Sequence, residues 1–526
     1  MKRKWLVRFV VGLAALLLLS LAIVKLIVEP WVEKQLSNYC NAKLIDCSVE
    51  FETCHVSIFG LTLKVENILF QTKPEFRKEG SVIAKIAFLE LKGIGIFDLL
   101  YSNCFTVNEI HVESASVNQI KPFSNYKLEP FIAGFKVKVK KLIFSNTYVS
   151  VNDASSFKQY ILEKGLLELY NLKFNYLDTL NLGMLENFKF MAEKLVTVSK
   201  DSMYTLSVKG LSYYGASKFL SLDSFTIHPN HSDYVFADLH KYQTDRIETA
   251  LSNVIFNNVD AKAYFKSGSL ISSSVIIQKL NTRVFRDKRK EFKSGKMPVF
   301  QDMIYDYPAK INIDSIFVVN GNVSYYEHAR RAKNPGRISF NSIKAIVYNL
   351  SNDTVYKTKM NFLELKSTAL LYGKGKFSVH LKSRIYDPND SFTVVGSLGA
   401  IDAREFNPMA ERVAFLYIST GWIDQMKFNF NANNYSASGR MRLQYHGLNV
   451  TLKNQETNDT TAVRELLGSY LLNLKIMNAN PLPGKDIRIG IIDNERDPEC
   501  FLFHYCYKAI LSGVKSSIVK ERRSKH

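Results

Sequence analysis

The chain is long, rich in apolar residues and strongly basic. Its 526 residues allow about two to four domains or one long repetitive sheet, and 46% hydrophobic residues with only 13 prolines exclude a disordered stalk. Six cysteines are too few for a disulfide scaffold of this size, and a formal net charge of +20 leaves either polyanionic partners or a merely solvated basic surface.

A membrane-spanning helix is the first predicted element. The stretch Trp5–Val28 reads WLVRFVVGLAALLLLSLAIVKLIV, and its only charges, Arg8 and Lys25, lie near the two ends. At ~1.5 Å per residue it is ~36 Å long, which is enough to cross a bilayer with some tilt. The alternative is a cleaved signal peptide with a small-residue site at Ser20–Ala22. Because the apolar run continues past that site, we expect an uncleaved anchor.

The charges around this helix predict its orientation. Lys2, Arg3, Lys4 and Arg8 flank its start, so the positive-inside bias places the N-terminus in the cytoplasm and the chain after Trp31 on the far side. A nucleic-acid partner is then excluded. Anionic lipid head groups or envelope glycans remain as partners for the basic surface.

Strands dominate after the anchor. Aromatic residues make up 12% of the chain, which favours strands, and a short amphipathic helix is expected over residues 32–41. Alternating or apolar runs then predict strands at Ser48–Phe51, Cys54–Phe59, Leu61–Phe70, Val82–Lys92 and Phe105–Ile120.

One strand pattern recurs along the chain. Lys136–Val151 and Lys310–Tyr326 share an Ile-Phe pair, an Asn and a Val-Ser pair once a one-residue gap is allowed. Phe105–Ile120 is a looser copy, and Ser221–Pro229 echoes part of the second copy. The pattern predicts an architecture that adds similar strands side by side, although ordinary strand alternation is the alternative.

The clearest strands lie near the C-terminus. Residues 426–452 alternate apolar and polar positions around a turn at Asn434–Gly439, which is typical of an antiparallel meander with one apolar face. The same signal occurs beside the turn at Gly373–Gly375. The apolar positions that we expect to line a trough, or else a closed sandwich core, are Phe377, Val379, Leu381, Phe428, Phe430, Met441, Leu443 and Tyr445.

Few helices are expected in this region. Periodicity predicts them at Pro408–Phe415, Thr461–Leu474 and Cys500–Val519. The stripe of the second helix suits packing on the sheet. The third helix ends in a basic tail that contains Arg522 and Arg523, so it suits either an anionic membrane surface or the end of the sheet.

A dense basic loop and two cysteine groups leave further alternatives open. Arg286, Lys288, Arg289 and Lys290 belong to the loop, which is either solvated or in contact with lipid head groups. Disulfides are chemically allowed within each cysteine group. The two groups are Cys40, Cys47 and Cys54, and Cys500 and Cys506.

Enzyme signatures are missing from the sequence. It contains no HExxH, P-loop, GxSxG or EF-hand motif, so we expect no catalysis, no cofactor and no metal. An envelope glycan hydrolase is a rival hypothesis, because Asp387, Asp390 and Glu364 supply scattered carboxylates. Nothing in the sequence pairs them as that chemistry requires.

The order of segments along the chain is characteristic. An anchor and a short helix precede the hairpin segment Cys54–Pro74. Phe406–Leu452 then runs from a short helix through Gly421-Trp-Ile423 to a meander that contains Ser438-Gly439, and the tail ERDPECFLFHYCYKAILSG follows. In this layout the chain resembles AsmA-like proteins of the Gram-negative envelope, with a Bacteroidetes-type tail. The resemblance covers most of the chain, but residues 153–305 match less clearly.

The resemblance implies a mainly β protein, in which a transmembrane helix precedes an elongated antiparallel β-groove with few helices. Such a groove would bind or conduct phospholipid, or another envelope lipid, between the inner and outer membranes, with an outer-membrane protein as a further partner. The bulk of the chain would lie in the periplasm. A structural or adhesive protein with closed β-sandwiches is the alternative. The expected regions are 1–31 (anchor), 32–130, 131–305 and 306–455 (β-rich) and 456–526 (helix and tail).

Overall fold

The computed structural model describes most of the chain and divides it into two compact units, Met1–Asp223 and Ser224–His526. The described residues are 2–44, 46–77, 80–95, 98, 101–102, 104–120, 136–153, 158–174, 187–295, 297–353, 362–452, 476–500 and 502–519. Within them the fold is mainly β, as predicted, and contains 22 strands. The predicted helix at Thr461–Leu474 and the tail residues Arg522 and Arg523 lie outside the described residues.

The first unit begins with a long helix and continues as a sheet. Helix α1 (Lys2–Ile23) passes through a π-helical turn at Val24–Val28 into α2 (Glu29–Lys43). Leu13–Asn38 is long and apolar enough to span a membrane, with a mean hydropathy of 2.2, and this agrees with the predicted single-pass anchor. The strands are β1 (Cys47–Glu50), β2 (Thr53–Ser57), β3 (Thr62–Thr72), β4 (Ser81–Ile94), β5 (Cys104–Glu113), β6 (Ser116–Ile120), β7 (Lys136–Asp153), β8 (Lys158–Phe174), β9 (Phe188–Val198) and β10 (Tyr204–Tyr214).

The second unit holds the remaining strands and short helices. The boundary between the units falls inside β11 (Phe219–Pro229). The strands that follow are β12 (Asp245–Asn257), β13 (Leu270–Asp287), β14 (Ile311–His328), β15 (Gly336–Ser351), β16 (Leu363–Leu371), β17 (Gly375–Ser383), β18 (Phe392–Leu398), β19 (Ile401–Asp402), β20 (Leu416–Ala432), β21 (Ser436–Leu452) and β22 (Ile489–Glu495). The helices are α3 (Asp233–Asp238), α4 (Ala261–Ser267), α5 (Phe300–Tyr305), α6 (Asn407–Val413) and α7 (Leu502–Ile518).

Most neighbouring strands are antiparallel, but each unit contains a parallel junction. In the first unit β5 and β6 run parallel to β7, and in the second unit β13 runs parallel to β14. The two best repeat copies predicted from sequence are β7 and β14, whereas the looser copy Phe105–Ile120 is divided between β5 and β6. Both strands pair parallel with one neighbour and antiparallel with the next, and both have a bulge shortly after the Ile-Phe pair. The two copies thus occupy equivalent places in the two units.

The main core lies in the second unit, where α7 packs on one face of β18 and β20–β22. Tyr505 and Ala509 of α7 join a buried cluster with Phe392, Met441 and Ile492. The same helix also protects the outermost strand, since the Ser516 and Ser512 hydroxyls accept hydrogen bonds from the amides of Ile491 and Asp493 (3.0 and 3.1 Å). An exposed strand edge is a template for unwanted pairing, so these contacts protect it.

At Gly439 the backbones of β20 and β21 approach closely. A Cβ atom there would lie 2.0 Å from the Asn429 carbonyl oxygen and 2.6 Å from the Phe430 Cα. Because the obstructing atoms are backbone, Gly439→Ala is expected to destabilise the unit by ~1–3 kcal/mol. Gly399→Ala is the control, since its nearest neighbour would lie 3.6 Å away. Thermal unfolding followed by circular dichroism measures both, and equal midpoints for the two variants would contradict this reading of the strand packing.

Candidate lipid-binding groove

The predicted trough residues share one face of the sheet in the second unit. Phe428, Phe430, Met441, Leu443 and Tyr445 are between 0 and 4% exposed, and they belong to the core that α7 covers. Phe377, Val379 and Leu381 are partly buried beside them. This face is therefore filled by protein side chains around Met441, and the role of these residues in binding lipid stays a prediction.

A surface groove of about 1180 Å³ crosses eight strands of the same unit. Its volume slightly exceeds the ~300–1,000 Å³ of most small-molecule pockets. At ~4.8 Å between strands, a groove across eight of them extends ~34 Å. Ile489 of β22 contributes one lining residue, and each of the other seven strands contributes three consecutive residues: 317–319, 344–346, 366–368, 378–380, 395–397, 427–429 and 440–442.

Strand register shows which face the groove occupies. The outer two residues of each triplet form two continuous rows of paired positions, whereas the middle residues, such as Val379, Phe428 and Met441, point to the core face. None of Phe377, Leu381, Phe430, Leu443 and Tyr445 lines the groove. The groove therefore lies on the face opposite the α7 core, and the backbone of the middle residues forms its floor. One row is Lys344, Thr368, Ser378, Ser397, Lys427, Arg442 and Ile489, and the other is Ile346, Lys366, His380, Val395, Asn429 and Arg440.

Three cations converge at one end of the groove. Lys427 of β20 lies directly opposite Arg442 of β21, and Arg440 lies two residues along the same strand. All three side chains are exposed. In the part of the chain that the structure describes, no carboxylate lies within ion-pair distance of any of them. Like charges on directly opposed strand positions destabilise a sheet, so this arrangement is suited to an anion that neutralises it.

Farther along the groove, one carboxylate is shared by three basic side chains. The Glu364 carboxylate contacts His380 at 2.6 Å, Lys366 at 3.2 Å and Lys382 at 3.3 Å. Desolvation opposes ionisation of this carboxyl, but the hydrogen bonds from the three basic side chains outweigh it and lower the pKa of Glu364 to about 2. Glu364 is thus ionised at neutral pH. Among the described groove residues, the cations without an ion-pair partner are Lys427, Arg440 and Arg442 at one end and Lys344 of β15 toward the other.

The basic stretch predicted as a loop begins inside strand β13, which contains Arg286, and its cations bind carboxylates of the same unit. Arg286 makes a two-pronged contact with Asp245 (2.6 Å for each bond), and Arg289 does the same with Asp287 (2.9 and 2.7 Å). A second set of contacts joins Lys288 to Glu327 and Lys290 to Asp238, each at 2.9 Å. Each of these four predicted head-group cations therefore already has a carboxylate partner within the fold, whereas Arg522 and Arg523 lie outside the described residues.

The carboxylates of the hydrolase hypothesis hold loops and charges in place. Asp387 accepts a hydrogen bond from the Asn389 amide (2.8 Å), Asp390 accepts one from the Asn434 side chain, and Glu364 belongs to the groove network. Among the described residues, no three His, Cys, Asp or Glu side chains come together as ligands for a metal ion.

All six cysteines are free thiols, so none of the disulfides left open by the sequence is formed. Burial raises the pKa of Cys506 to about 12, and burial together with Asp497 raises the pKa of Cys500 to about 11. Both thiols are therefore protonated at neutral pH and are weak nucleophiles.

Sequence comparison adds no family to this picture. No family model matches the chain, and no curated protein matches it by sequence.

Removing a carboxylate tests whether the basic loop is structural. The Arg286 side chain is only 16% exposed, so Asp245→Ala, which removes its two-pronged partner, is expected to destabilise the protein by ~3–5 kcal/mol. The matched control is Asp238→Ala, which breaks the contact of Lys290 with a carboxylate that is 73% exposed and should cost ~1 kcal/mol or less. Thermal midpoints of the two variants give the comparison. If the thermal midpoint of Asp245→Ala is no lower than that of Asp238→Ala, the contact between Arg286 and Asp245 is not structural, and Arg286 is available to bind a ligand.

Proposed function

We propose that this protein is held in a membrane by its N-terminal helix and binds an anionic phospholipid in the groove of its second unit. In the AsmA-like interpretation, the membrane is the inner membrane, the bulk of the chain lies in the periplasm, and the lipid moves between inner and outer membranes. The protein performs no bond chemistry in this proposal. The observation that carries the proposal is the cluster of Lys427, Arg440 and Arg442 at the end of a long groove.

The groove offers both kinds of contact that a phospholipid needs. Its lining includes Phe317, Ile346, Val395 and Ile489, together with the aliphatic stems of its lysines and arginines. Each methylene removed from water contributes ~0.8 kcal/mol, so even a partly covered acyl chain gains several kcal/mol. Lys427, Arg440 and Arg442 would then hold the phosphate, because charge-assisted hydrogen bonds to phosphate are the strong ones.

The groove also suits movement of its ligand. Polar positions such as Ser378 and Ser397, whose hydroxyls lie 2.7 Å apart, continue along the same row from the cation cluster. The groove runs across the strands, so a chain lying in it passes over equivalent positions of successive strands. A ligand that is held by weak, repeated contacts slides more easily than one that is enclosed.

The charge cluster supplies the direct test. The triple variant Lys427→Gln/Arg440→Gln/Arg442→Gln removes three charges from the groove, and Arg330→Gln/Arg331→Gln/Lys333→Gln removes three exposed charges from the β14–β15 loop of the same unit. Contacts between hydrogen-bonding groups and charged partners contribute ~1.5–3 kcal/mol each, so we expect the groove variant to lose at least about tenfold in bound anionic phospholipid. The loop variant should bind as the parent protein does.

The measurement is mass spectrometry of lipids that co-purify with the full chain in mild detergent. Thermal midpoints confirm that both variants are folded. Equal losses of bound phospholipid in the two variants would indicate a general effect of net charge and contradict lipid binding in the groove. Background lipid on the parent protein would favour the alternative, a structural or adhesive envelope protein without lipid cargo.

A further inference from the structure

The turn between β2 and β3 presents apolar side chains to the surroundings of the first unit. Ile58, Phe59 and Leu61 are 51, 76 and 38% exposed. Surface turns are usually built from Gly, Pro, Asn, Asp and Ser, whereas three of the four residues in Ile58–Leu61 are large and apolar. The composition of this turn is therefore unsuited to water.

The turn is well defined in spite of that composition. The Gly60 amide donates to the Ser57 hydroxyl (3.1 Å), and the Leu61 amide donates to the Ile58 carbonyl (3.4 Å). Leu61 has a φ of 48°, in the left-handed region that a bulky residue adopts at an energetic cost. The fold thus holds Phe59 and its neighbours outward in one conformation.

Contacts with the long helix place this turn beside the apolar span. The Val56 amide donates to the Glu29 carboxylate (2.9 Å), one residue past the end of the π-helical turn. Val32 and Leu36 of α2 pack against a small core of Cys54, Val65 and Ile68. Strand β2 contacts both α2 and Val24–Val28, the last part of the predicted span. Strand β2 runs antiparallel to the helix, so moving from Cys54 to Ser57 corresponds to moving back along the helix from Leu36 toward Val24. The next residues, Ile58 and Phe59, therefore continue toward the membrane.

Trp31 gives an independent marker of the interface. It is 62% exposed and follows the apolar run by three residues, where tryptophan prefers the level of the head groups. Val24–Val28 precede Trp31 and therefore lie deeper in the bilayer. A turn that extends beside Val24–Val28 reaches the boundary between head groups and acyl chains, where apolar side chains of peripheral segments insert ~5–10 Å deep.

We propose that Ile58, Phe59 and Leu61 insert into the bilayer leaflet that surrounds the C-terminal end of the anchor span, as a second membrane contact. Tyr101 is a further exposed aromatic residue at the same end of the sheet. It is 83% exposed and lies in the connection that follows β4, whose last residue, Ile94, donates its amide to the Leu61 carbonyl (3.1 Å). Two separate contacts with one bilayer fix the tilt of the first unit, which a single helix does not do. The inference rests on the membrane anchor of the proposed function, but it is independent of the groove.

Photo-crosslinking of the full chain in bilayer nanodiscs tests the insertion. The photoreactive p-benzoylphenylalanine replaces Phe59 in one variant, and the bilayer contains phosphatidylcholine and alkyne-tagged phosphatidylglycerol. Tyr160 is the matched control position, because it is exposed in the same unit but lies toward the opposite end of the strands. Leu18 of α1, which is 67% exposed, is the positive control for the anchor. We expect crosslinking to lipid at positions 18 and 59, and several-fold less at position 160.

The outcomes separate the two hypotheses. Crosslinking at position 18 with equal yields at 59 and 160 would overturn the insertion of the turn while leaving the anchor in place. Failure at position 18 would overturn the anchor and, with it, the insertion. The groove variant Lys427→Gln/Arg440→Gln/Arg442→Gln should keep the crosslink at position 59, which shows that the turn acts independently of lipid in the groove. The thermal midpoints of the Phe59→Ser and Ile58→Ser variants should differ little from that of the parent protein. These exposed side chains contribute to membrane contact and not to folding.

Discussion

The alternation of side chains along β-strands controls what each surface of the second unit is able to do. Successive residues point to opposite faces, so a single strand such as β20 delivers Phe428 to one face and Lys427 to the other. On one face the apolar residues meet α7 and exclude water. On the other face the register aligns polar and basic residues of six strands, β15–β18, β20 and β21, into rows beside a groove, and β14 and β22 add apolar residues at its two ends. The packing of the first face holds the backbone that forms the floor of the second.

Charge is distributed by the same geometry. The loop with the highest density of cations has its charges compensated by Asp245, Asp287, Glu327 and Asp238. Partly buried arginines need such partners, since an isolated charge in a low-dielectric environment is costly. The exposed cations of β20 and β21 have no such requirement and remain available to an anion. Of the net charge of +20, the candidate site at Lys427, Arg440 and Arg442 thus contains only three charges.

The first unit links a membrane-compatible helix to a sheet through a continuous set of contacts. Glu29 bonds the backbone of β2, and Val32 and Leu36 pack with Cys54 and Val65. These contacts leave little freedom between the helix and the adjacent strands. In the proposed membrane arrangement, the apolar hairpin end at Ile58–Leu61 would rest on the bilayer.

Several features of this protein follow from local sequence. The apolar run that ends at Val28 predicts a long helix because its length and hydropathy require no tertiary partner. Two-residue alternation in β20 and β21 was sufficient to predict the meander and to place Phe428 and Met441 on one face. The repeat in β7 and β14 was detectable because equivalent places in the two units require similar residues.

Tertiary structure decided the rest. Sequence periodicity assigns Met441 to an apolar face, but only the position of α7 determines that the face is closed, because the contact joins segments far apart in the chain. Local charge density favoured Arg286 over Arg442, and the outcome depended on which carboxylates the fold brings close. The parallel pairing of β7 and β14 with their neighbours was not predictable from the sequence either, since strand direction is set by long-range pairing. The sequence determined the residue types and their periodicity, whereas the contacts between distant segments required the tertiary structure.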